Sequence, residues 1–365
     1  MEGLILKIKR LVNCFIPVSV CNFSCEYCYV PQFEGRKKNQ LPKWRCTPEQ
    51  IQKALSADRL GGKCFMNLCG DGETLIPKEV PKIIKHLLQE GHILEVVTNG
   101  VLTDRFNEIL KIDKSLLERL EFKFSYHYGQ LKEKGLLDTF WNNVQKVRDK
   151  GCSFTIELVP HDQLIPIIDE IKNDCIKHVG ALCHVTTTYD YSKNMVLNTS
   201  LSEDEFVKVW SQFNSPMFDF KMSVLHQKRH EYCYAGEYLI SVDLASGIAH
   251  QCYFGGEQNI YDNIDKPIRW NAMGKNCAYP ICFNAHALLV FGAIPELAKD
   301  INYADIRNRI TDTGDEWLKE PVKSAFKSKF IDSNPQYSQT KKILNAIDVM
   351  QHDFRYKIKR VLLDE

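Results

Sequence analysis

The sequence has no long hydrophobic run and almost no net charge. Its first ten residues contain no apolar core followed by a small-residue cleavage site, and no stretch approaches the length of a membrane span. The formal net charge is +1 with 25% charged residues, so no strong field favours nucleic acid or a membrane surface. We therefore expect a cytoplasmic protein without a nucleic-acid or membrane partner.

Low-complexity tracts and internal repeats are also absent. The 365 residues exceed one average domain and suffice for one barrel plus an appendage. Cysteine, in contrast, is plentiful, with 14 residues. In a reducing compartment this number indicates metal or redox chemistry rather than disulfides.

Three of the cysteines lie within eight residues: Cys21, Cys25 and Cys28 have the spacing C-x3-C-x2-C, and Tyr27 precedes the last. Three thiolates at this spacing can hold three corners of a 4Fe-4S cluster, which leaves the fourth iron open to a small molecule. Disulfide frameworks are typical of small secreted domains, and a zinc site would need a distant fourth ligand. Simple packing explains a lone cysteine better than three together.

Apolar runs alternate with helical stretches along the chain. Strands are predicted over 14–20, 64–69, 93–98, 120–125, 153–159, 182–188 and 218–224, and helices over 47–57, 78–90, 104–112, 138–150 and 164–178 and from a capping signal at 202–205. This alternation predicts βα units and a parallel sheet that is closed or partly closed into a barrel. Such barrels carry their chemistry at the C-terminal ends of the strands.

The cysteine motif and the later Gly70-Asp71-Gly72-Glu73 turn together resemble the radical S-adenosylmethionine (SAM) superfamily. The resemblance implies an α/β fold with a partial (β/α)6 TIM-type barrel over about residues 12–225. It implies that Cys21, Cys25 and Cys28 hold a 4Fe-4S cluster whose open iron binds SAM. An external one-electron donor such as flavodoxin or ferredoxin would then allow SAM cleavage, and the 5′-deoxyadenosyl radical would abstract a substrate hydrogen.

The resemblance also implies a set of SAM contacts. Gly70, Asp71, Gly72 and Glu73 correspond to the turn that holds the SAM amino group, although Asp71 stands where the family has glycine. Tyr27, Asn99, Ser125 and Glu157 complete the predicted cofactor-binding residues. An ordinary glycine turn and single polar residues at strand ends are the alternatives, and Glu157 needs a partner if it points inward.

Two further residues are candidates for catalysis. His127 follows Ser125 by two residues and could take a proton from a substrate hydroxyl or position one. Cys69 precedes the glycine turn and could donate a hydrogen atom to a substrate radical. A lone histidine is more often structural and a buried cysteine is inert by default, so packing roles remain the alternatives.

A second group of cysteines follows the predicted barrel. Cys233, Cys252, Cys277 and Cys282 surround a strand-turn-strand segment over 239–250, and four thiolates can ligate either zinc or an iron–sulfur cluster fully. The pattern resembles the twitch form of the SPASM domain, which implies an auxiliary 4Fe-4S cluster. We expect a barrel over 1–225, a small β-hairpin and helical iron–sulfur domain over 226–300, and a helical extension over 301–365.

The substrate is expected to be a sugar, a cyclitol or a similar small polyol, which would be dehydrogenated or epimerised. The first strand begins near residue 14, which leaves no room for the N-terminal peptide-binding winged helix of many peptide-modifying relatives. Maturation of a ribosomal peptide, by cross-linking or epimerisation, is the second hypothesis. A metal-stabilised binding or redox-sensing protein without catalytic activity is the third, and it requires four protein ligands for every metal.

Overall fold

The computed structural model describes residues 6–32, 39–190, 196–225, 231–252, 255–275, 290–294, 301–330 and 337–344, together with 346–347, 350–351 and 354. The strands there are β1 (Leu11–Ile16), β2 (Phe65–Gly70), β3 (Ile93–Thr98), β4 (Leu120–Tyr126), β5 (Ser153–Leu158), β6 (His184–Val185), β7 (Tyr189–Asp190), β8 (Val196–Leu197), β9 (Leu239–Asp243), β10 (Ile248–His250) and β11 (Glu257–Asn259). The α-helices are α1 (Pro48–Ala54), α2 (Ala57–Leu60), α3 (Val80–Gln89), α4 (Thr103–Ile109), α5 (Lys114–Leu117), α6 (Tyr128–Glu133), α7 (Leu137–Asp149), α8 (Ile168–Val179), α9 (Glu203–Trp210), α10 (Pro216–Ser223), α11 (Tyr303–Arg307) and α12 (Val322–Phe326).

Nine strands form one sheet in the order β11-β10-β9-β1-β2-β3-β4-β5-β6. The strands from β9 through β1 to β6 run parallel, and the β9-β10-β11 meander is antiparallel. The mostly parallel sheet confirms the α/β class and the partial barrel, and the sheet is not closed. The predicted hairpin over 239–250 is confirmed as β9 and β10, which extend the sheet beside β1.

Several local predictions are confirmed by the capping geometry. The Thr47 hydroxyl accepts the Gln50 N–H at 3.3 Å and the Gln50 side chain accepts the Thr47 N–H at 2.8 Å, which is the predicted capping box at the start of α1. Ser202 and Glu205 make the same exchange before α9. Gly91 lies in the left-handed region, with φ +86°, just beyond the end of α3.

The predicted strand over 218–224 is wrong, because residues 218–223 belong to α10 and Val224 directly follows it. The Ser215 hydroxyl accepts the Phe218 N–H at 3.3 Å, and Pro216 occupies the first helical position, where no N–H is needed. The strand predicted over 182–188 is shorter than expected, since only His184–Val185 pairs with β5 in the sheet. None of the described α-helices is long and apolar enough to cross a bilayer.

The two faces of the central strands differ in character. On the outer face, Phe122 and Phe124 of β4 pack against Phe106 of α4, with ring centroids 5.2 and 5.7 Å away. The residues of the other parity face the inner side, and many of them are polar or charged: Asn67, Cys69, Glu95, Glu121, Lys123, Ser125, Thr155 and Glu157. The polar inner face is therefore the side available for chemistry.

A second apolar core covers the N-terminal edge of the sheet. Leu11, Phe65 and Ile93 are the first residues of β1, β2 and β3, and they are buried with aromatic residues from the C-terminal part of the chain. Phe65 lies 4.9 Å from the Phe326 ring and 5.9 Å from the Tyr303 ring. The described C-terminal segments thus block one end of the partial barrel, and the opposite end remains for the site.

Arg307 of α11 extends from this second core into the polar inner face. Its fully buried guanidinium contacts carboxylates on three adjacent strands: Glu157 of β5, Glu121 of β4 at 3.3 Å and Glu95 of β3 at 3.4 Å. It also donates to the Thr155 hydroxyl at 2.5 Å. Because an unpaired buried carboxylate is very unfavourable, these contacts bind the C-terminal segment to the sheet.

Arg307→Met is expected to lower the free energy of unfolding by about 3–5 kcal/mol, because the variant leaves three buried carboxylates without their shared cation. The measurement is anaerobic urea denaturation of the wild type and the variant. Arg148→Met is the control, because it breaks a solvent-exposed pair with Asp315 at 3.2 Å and should cost less than about 1 kcal/mol. Equal losses in the two variants would contradict the role assigned to Arg307.

Candidate active site

The loop that follows β1 carries the three N-terminal cysteines. Cys21 is exposed, and Cys25 and Cys28 are half-buried. The Cys28 N–H donates to the Cys25 carbonyl at 3.1 Å, so these two residues share a tight turn. Burial raises the pKa of the Cys25 thiol to about 11, opposed by a hydrogen bond from Tyr27 and assisted by the charges of Cys21 and Cys28. The thiols are therefore close enough to influence one another.

This donor set fits an iron–sulfur cluster. Neighbouring thiolates repel one another, so holding three of them in one loop favours a positively charged centre between them. Within the described ranges, no group of three or more His, Cys, Asp or Glu side chains is arranged around a single metal ion. A 4Fe-4S cluster does not require that arrangement, because each cysteine binds a different iron.

The cysteine loop runs directly over the glycine turn that ends β2. The Gly72 N–H donates to the Val18 carbonyl at 2.6 Å, and the Glu73 N–H donates to the Val20 carbonyl at 2.9 Å. A side chain at Gly72 would place its Cβ 2.1 Å from the Val20 carbonyl oxygen, and only glycine permits this approach. Gly72 is therefore required for the position of the loop that carries the cysteines.

Glu73 joins the ends of β2 and β3. Its buried carboxylate accepts the Thr98 hydroxyl at 2.7 Å, the Asn99 N–H at 2.7 Å and the Leu75 N–H at 3.0 Å. Burial raises the pKa of Glu73, while these three hydrogen bonds lower it. The carboxylate thus fixes the turn to the end of β3.

Three of the four other predicted SAM-contact residues have different surroundings. The Asn99 amide donates to the Asn22 side chain at 2.6 Å and lies 3.9 Å from the Cys21 sulfur, so it connects β3 to the cysteine loop. Ser125 is half-buried on the inner face, in register with Glu157. The Glu157 carboxylate is in contact with Arg307, which is the partner that its inward position requires.

Tyr27 links the cysteine loop to the end of β4. Its hydroxyl lies 2.8 Å from Nδ1 of His127, and its ring stacks on His161 with centroids 4.6 Å apart. Burial, followed by the charge of His161, lowers the pKa of His127 to about 4, and burial raises the pKa of Tyr27. Nδ1 of the neutral imidazole is thus occupied by the Tyr27 hydroxyl, which leaves Nε2 for other partners.

Cys69 lies on the inner face one residue before the glycine turn. Burial raises the pKa of its thiol to about 11, and the nearby Lys123 ammonium opposes the shift. The S–H donates weakly to the Gly70 carbonyl at 3.5 Å. Cys69 is therefore protonated at neutral pH, which is the form that a hydrogen-atom donor must have.

The C-terminal cysteine group lies only partly within the described residues. Cys233 forms a backbone bridge with Gly274, with N–H to carbonyl distances of 2.9 and 2.8 Å, and its sulfur accepts the Ala235 N–H at 3.5 Å. Cys252 follows β10, and both cysteines pack against the second core. Cys277 and Cys282 lie outside the described residues, so the four-thiolate site stays a prediction.

Several site contacts were missed in the sequence analysis. Asn22, Thr98 and His161 each contact a predicted site residue, and Lys123 and Arg307 hold the carboxylates of the inner face. Tyr27 and His127 are 100 positions apart, and no local pattern indicates that they meet. Only the parity of β4, which places His127 on the same face as Ser125, offered a signal.

Comparisons with known proteins agree with this geometry. Residues 15–163 match the family model described as the Radical SAM superfamily. The crystal structure of Streptococcus suis SuiB bound to S-adenosylmethionine has a TM-score of 0.50 at 13% identity, with 71% of this chain and 65% of SuiB covered. SuiB bound to the precursor peptide SuiA gives a TM-score of 0.50 at 12% identity, with 72% and 65% covered. No protein with a curated description matches.

The chain thus spans 65% of the length of SuiB. At this level of identity the likeness concerns the fold alone.

Glu73→Gln is expected to lower the free energy of unfolding by about 1–3 kcal/mol, because the amide NH2 group replaces one of the two accepting oxygens and leaves the buried N–H of Leu75 or of Asn99 without its acceptor. The measurement is anaerobic urea denaturation. Glu118→Gln serves as the matched control, since Glu118 is exposed and its change should have an effect within about 0.5 kcal/mol. A Glu73 variant as stable as this control would refute the bracing role of the carboxylate.

Proposed function

Because residues 15–163 match the family model of the Radical SAM superfamily, we propose that Cys21, Cys25 and Cys28 hold a 4Fe-4S cluster at which SAM is cleaved reductively. The observation that carries the proposal is the three-cysteine loop fastened to Gly72 and Glu73 at the C-terminal edge of the parallel sheet. A chain of this superfamily needs a reductant and a substrate. We propose flavodoxin or ferredoxin as the reductant.

The residues of the chain have separable tasks in this proposal. When bound, the cluster supplies the electron that splits SAM into methionine and a 5′-deoxyadenosyl radical, which abstracts a hydrogen atom from the substrate. Asp71 and Gly72 present the turn backbone to the SAM amino group, and Glu73 keeps that turn in place through Thr98 and Asn99.

Tyr27 and His127 form the wall of the site beside the cysteine loop. His127 uses Nδ1 to hold the Tyr27 hydroxyl, so Nε2 is the atom left for a substrate hydroxyl. With a pKa lowered to about 4, the imidazole is a weak base, and positioning a hydroxyl suits it better than storing a proton. Ser125 precedes it on the same face, where it could meet the ribose of SAM.

For the substrate, the polar character of the inner face supports a sugar, a cyclitol or a similar polyol, which would be dehydrogenated or epimerised. Ser125 and Thr186 supply hydroxyl groups near the C-terminal ends of the strands. Hydroxylated substrates form hydrogen bonds with such groups. Cys69, kept as a thiol by burial, is the candidate donor if a hydrogen atom returns to the substrate.

Peptide maturation is the second candidate function. The fold likeness to SuiB, which has been crystallised with the precursor peptide SuiA, supports it. A peptide would have to enter the same end of the partial barrel, because the second core blocks the other end.

We also propose an auxiliary 4Fe-4S cluster on Cys233, Cys252, Cys277 and Cys282, in the domain expected over 226–300. The positions of Cys233 and Cys252 against one apolar core support a shared centre for these two residues. A cluster with four protein ligands would exchange electrons without binding substrate, whereas zinc on the same thiolates would be structural. Both centres require a reducing location, which agrees with the expected cytoplasmic site.

The combined variant Cys21→Ala/Cys25→Ala/Cys28→Ala is expected to lose about four irons per chain and all SAM cleavage, because the first cluster needs its three thiolates. Iron and sulfide analysis, electron paramagnetic resonance with and without SAM, and assay of 5′-deoxyadenosine form the test. Cys46→Ala is the control, since Cys46 lies outside the motif. If SAM leaves the spectrum of the wild type unchanged and is not cleaved, the chain is a metal-stabilised binding protein instead.

The auxiliary site is tested with a separate variant, Cys233→Ala/Cys252→Ala. We expect the wild type to contain about eight irons per chain and the variant about four. The SAM-dependent spectral change should persist in the variant. About four irons plus one zinc in the wild type would replace the auxiliary cluster by a structural zinc site. The first cluster and its chemistry would be unaffected by that outcome.

A further inference from the structure

Lys221 is a cation of the inner face that has no anionic partner in the described part of the chain. It belongs to α10, and its ammonium donates to the Thr186 hydroxyl at 2.5 Å. Thr186 follows β6, where its N–H donates to the Leu158 carbonyl at 3.0 Å. Since His184 is in register with Glu157, Thr186 has the parity of the inner face.

The carboxylates of the inner face are already engaged with other cations. Glu95 pairs with Lys123 at 3.2 Å and with Arg307 at 3.4 Å. Glu157 contacts Arg307 and lies 4.0 Å from Lys123. These two carboxylates are thus paired with Arg307 and Lys123 rather than with Lys221. Burial lowers the pKa of Lys221 and the charge of Glu95 opposes this shift, but the two side chains do not form an ion pair.

The basic and acidic groups of the inner face are equal in number, since Arg307, Lys123 and Lys221 face Glu95, Glu121 and Glu157. Burial and the charge of Glu95 raise the pKa of Glu121 to about 7. Burial, followed by the charge of Lys123, lowers the pKa of Lys221 to about 7. A buried amine in this state would regain its full charge beside an added carboxylate.

Lys221 also lies on the opposite side of the inner face from the cysteine loop. The loop follows β1 and contacts the ends of β2 and β3, whereas Lys221 contacts the segment after β6, at the open edge of the sheet. Thr186 is two residues beyond His184, toward the C-terminal end where Ser125 and His127 lie. The ammonium is therefore positioned to contact a substrate rather than the cluster or the glycine turn.

We propose that Lys221, with the Thr186 hydroxyl beside it, binds a carboxylate of the substrate. The substrate is then an acidic small molecule, such as a uronic acid, rather than a neutral polyol. The inference rests on the proposed function and narrows its substrate class. The Thr186 oxygen accepts a hydrogen bond from the Lys221 ammonium, so the Thr186 hydroxyl hydrogen can be donated to the second carboxylate oxygen of the substrate.

The test uses anaerobic holoprotein with SAM bound and two matched pairs of probes: glucuronate with glucose, and a short blocked peptide containing glutamate with its glutamine analogue. Calorimetry should give glucuronate an affinity about tenfold or more above that of glucose in the wild type, because the lysine contact is a charged hydrogen bond. Lys221→Met should remove this preference. Lys208→Met, which changes an exposed lysine of α9, should retain it.

A second readout does not depend on the variant. Glucuronate, but not glucose, should slow the labelling of Lys221 by fluorodinitrobenzene, as followed by mass spectrometry, because the paired ammonium is less nucleophilic. A Lys221-dependent preference seen only with the glutamate peptide would support the carboxylate contact and assign it to a peptide substrate. Equal affinities for both members of each pair, or a preference unchanged in Lys221→Met, would overturn the inference.

Failure of this inference is separable from failure of the proposed function. SAM binding is measured for the wild type and for Lys221→Met, and the formation of 5′-deoxyadenosine is measured for the wild type. Loss of SAM binding in this variant would show that Lys221 serves the cofactor, and the substrate assignment would be wrong. Absence of SAM cleavage in the wild type itself would instead refute the proposed function.

Discussion

The buried guanidinium of Arg307 is the interaction on which the rest of the structure depends. An open parallel sheet has a polar inner face that must be neutralised at one end if ligands are to enter at the other. Arg307 does this for three adjacent strands through Glu95, Glu121 and Glu157. Since desolvating these charges costs several kcal/mol each, the ion cluster is favourable only when all members are in place, and it therefore selects one docking position for α11.

At the other end of the strands, Glu73 has a comparable task with different chemistry. Its carboxylate holds backbone and hydroxyl donors instead of a cation, so the turn at Gly72 stays fixed without placing a fixed positive charge beside the cysteines. A cation there would compete with an iron centre for the thiolates. The base of the partial barrel thus uses ion pairs, whereas its functional edge uses neutral donors.

The sequence predicted elements wherever local chemistry decides the conformation. The strand over 93–98 and the capping boxes at Thr47 and Ser202 agree with the structure, because alternation and caps act over a few residues. The segment over 218–224 failed, since the Ser215 cap outweighs an apolar run that also suits a strand. For the site, the motifs identified the cysteine loop and the turn, but not the contacts of Tyr27 with His127 or of Glu157 with Arg307. These pairs are 100 and 150 positions apart, and only the fold brings them together.

The charged side chains of the inner face differ between the base of the partial barrel and its open edge. Near the base, the carboxylates are matched by Arg307 or Lys123, so an entering ion of either sign would gain little there. Toward the open edge, the Lys221 ammonium donates to the Thr186 hydroxyl, and no carboxylate among the described residues forms an ion pair with it. Because electrostatic interactions are strong where water is scarce, one uncompensated cation is sufficient to orient a charged ligand. Because the charges at the base are neutralised, a charged substrate would be oriented mainly by Lys221. The position of Lys221 would then determine how the substrate lies relative to the cysteine loop.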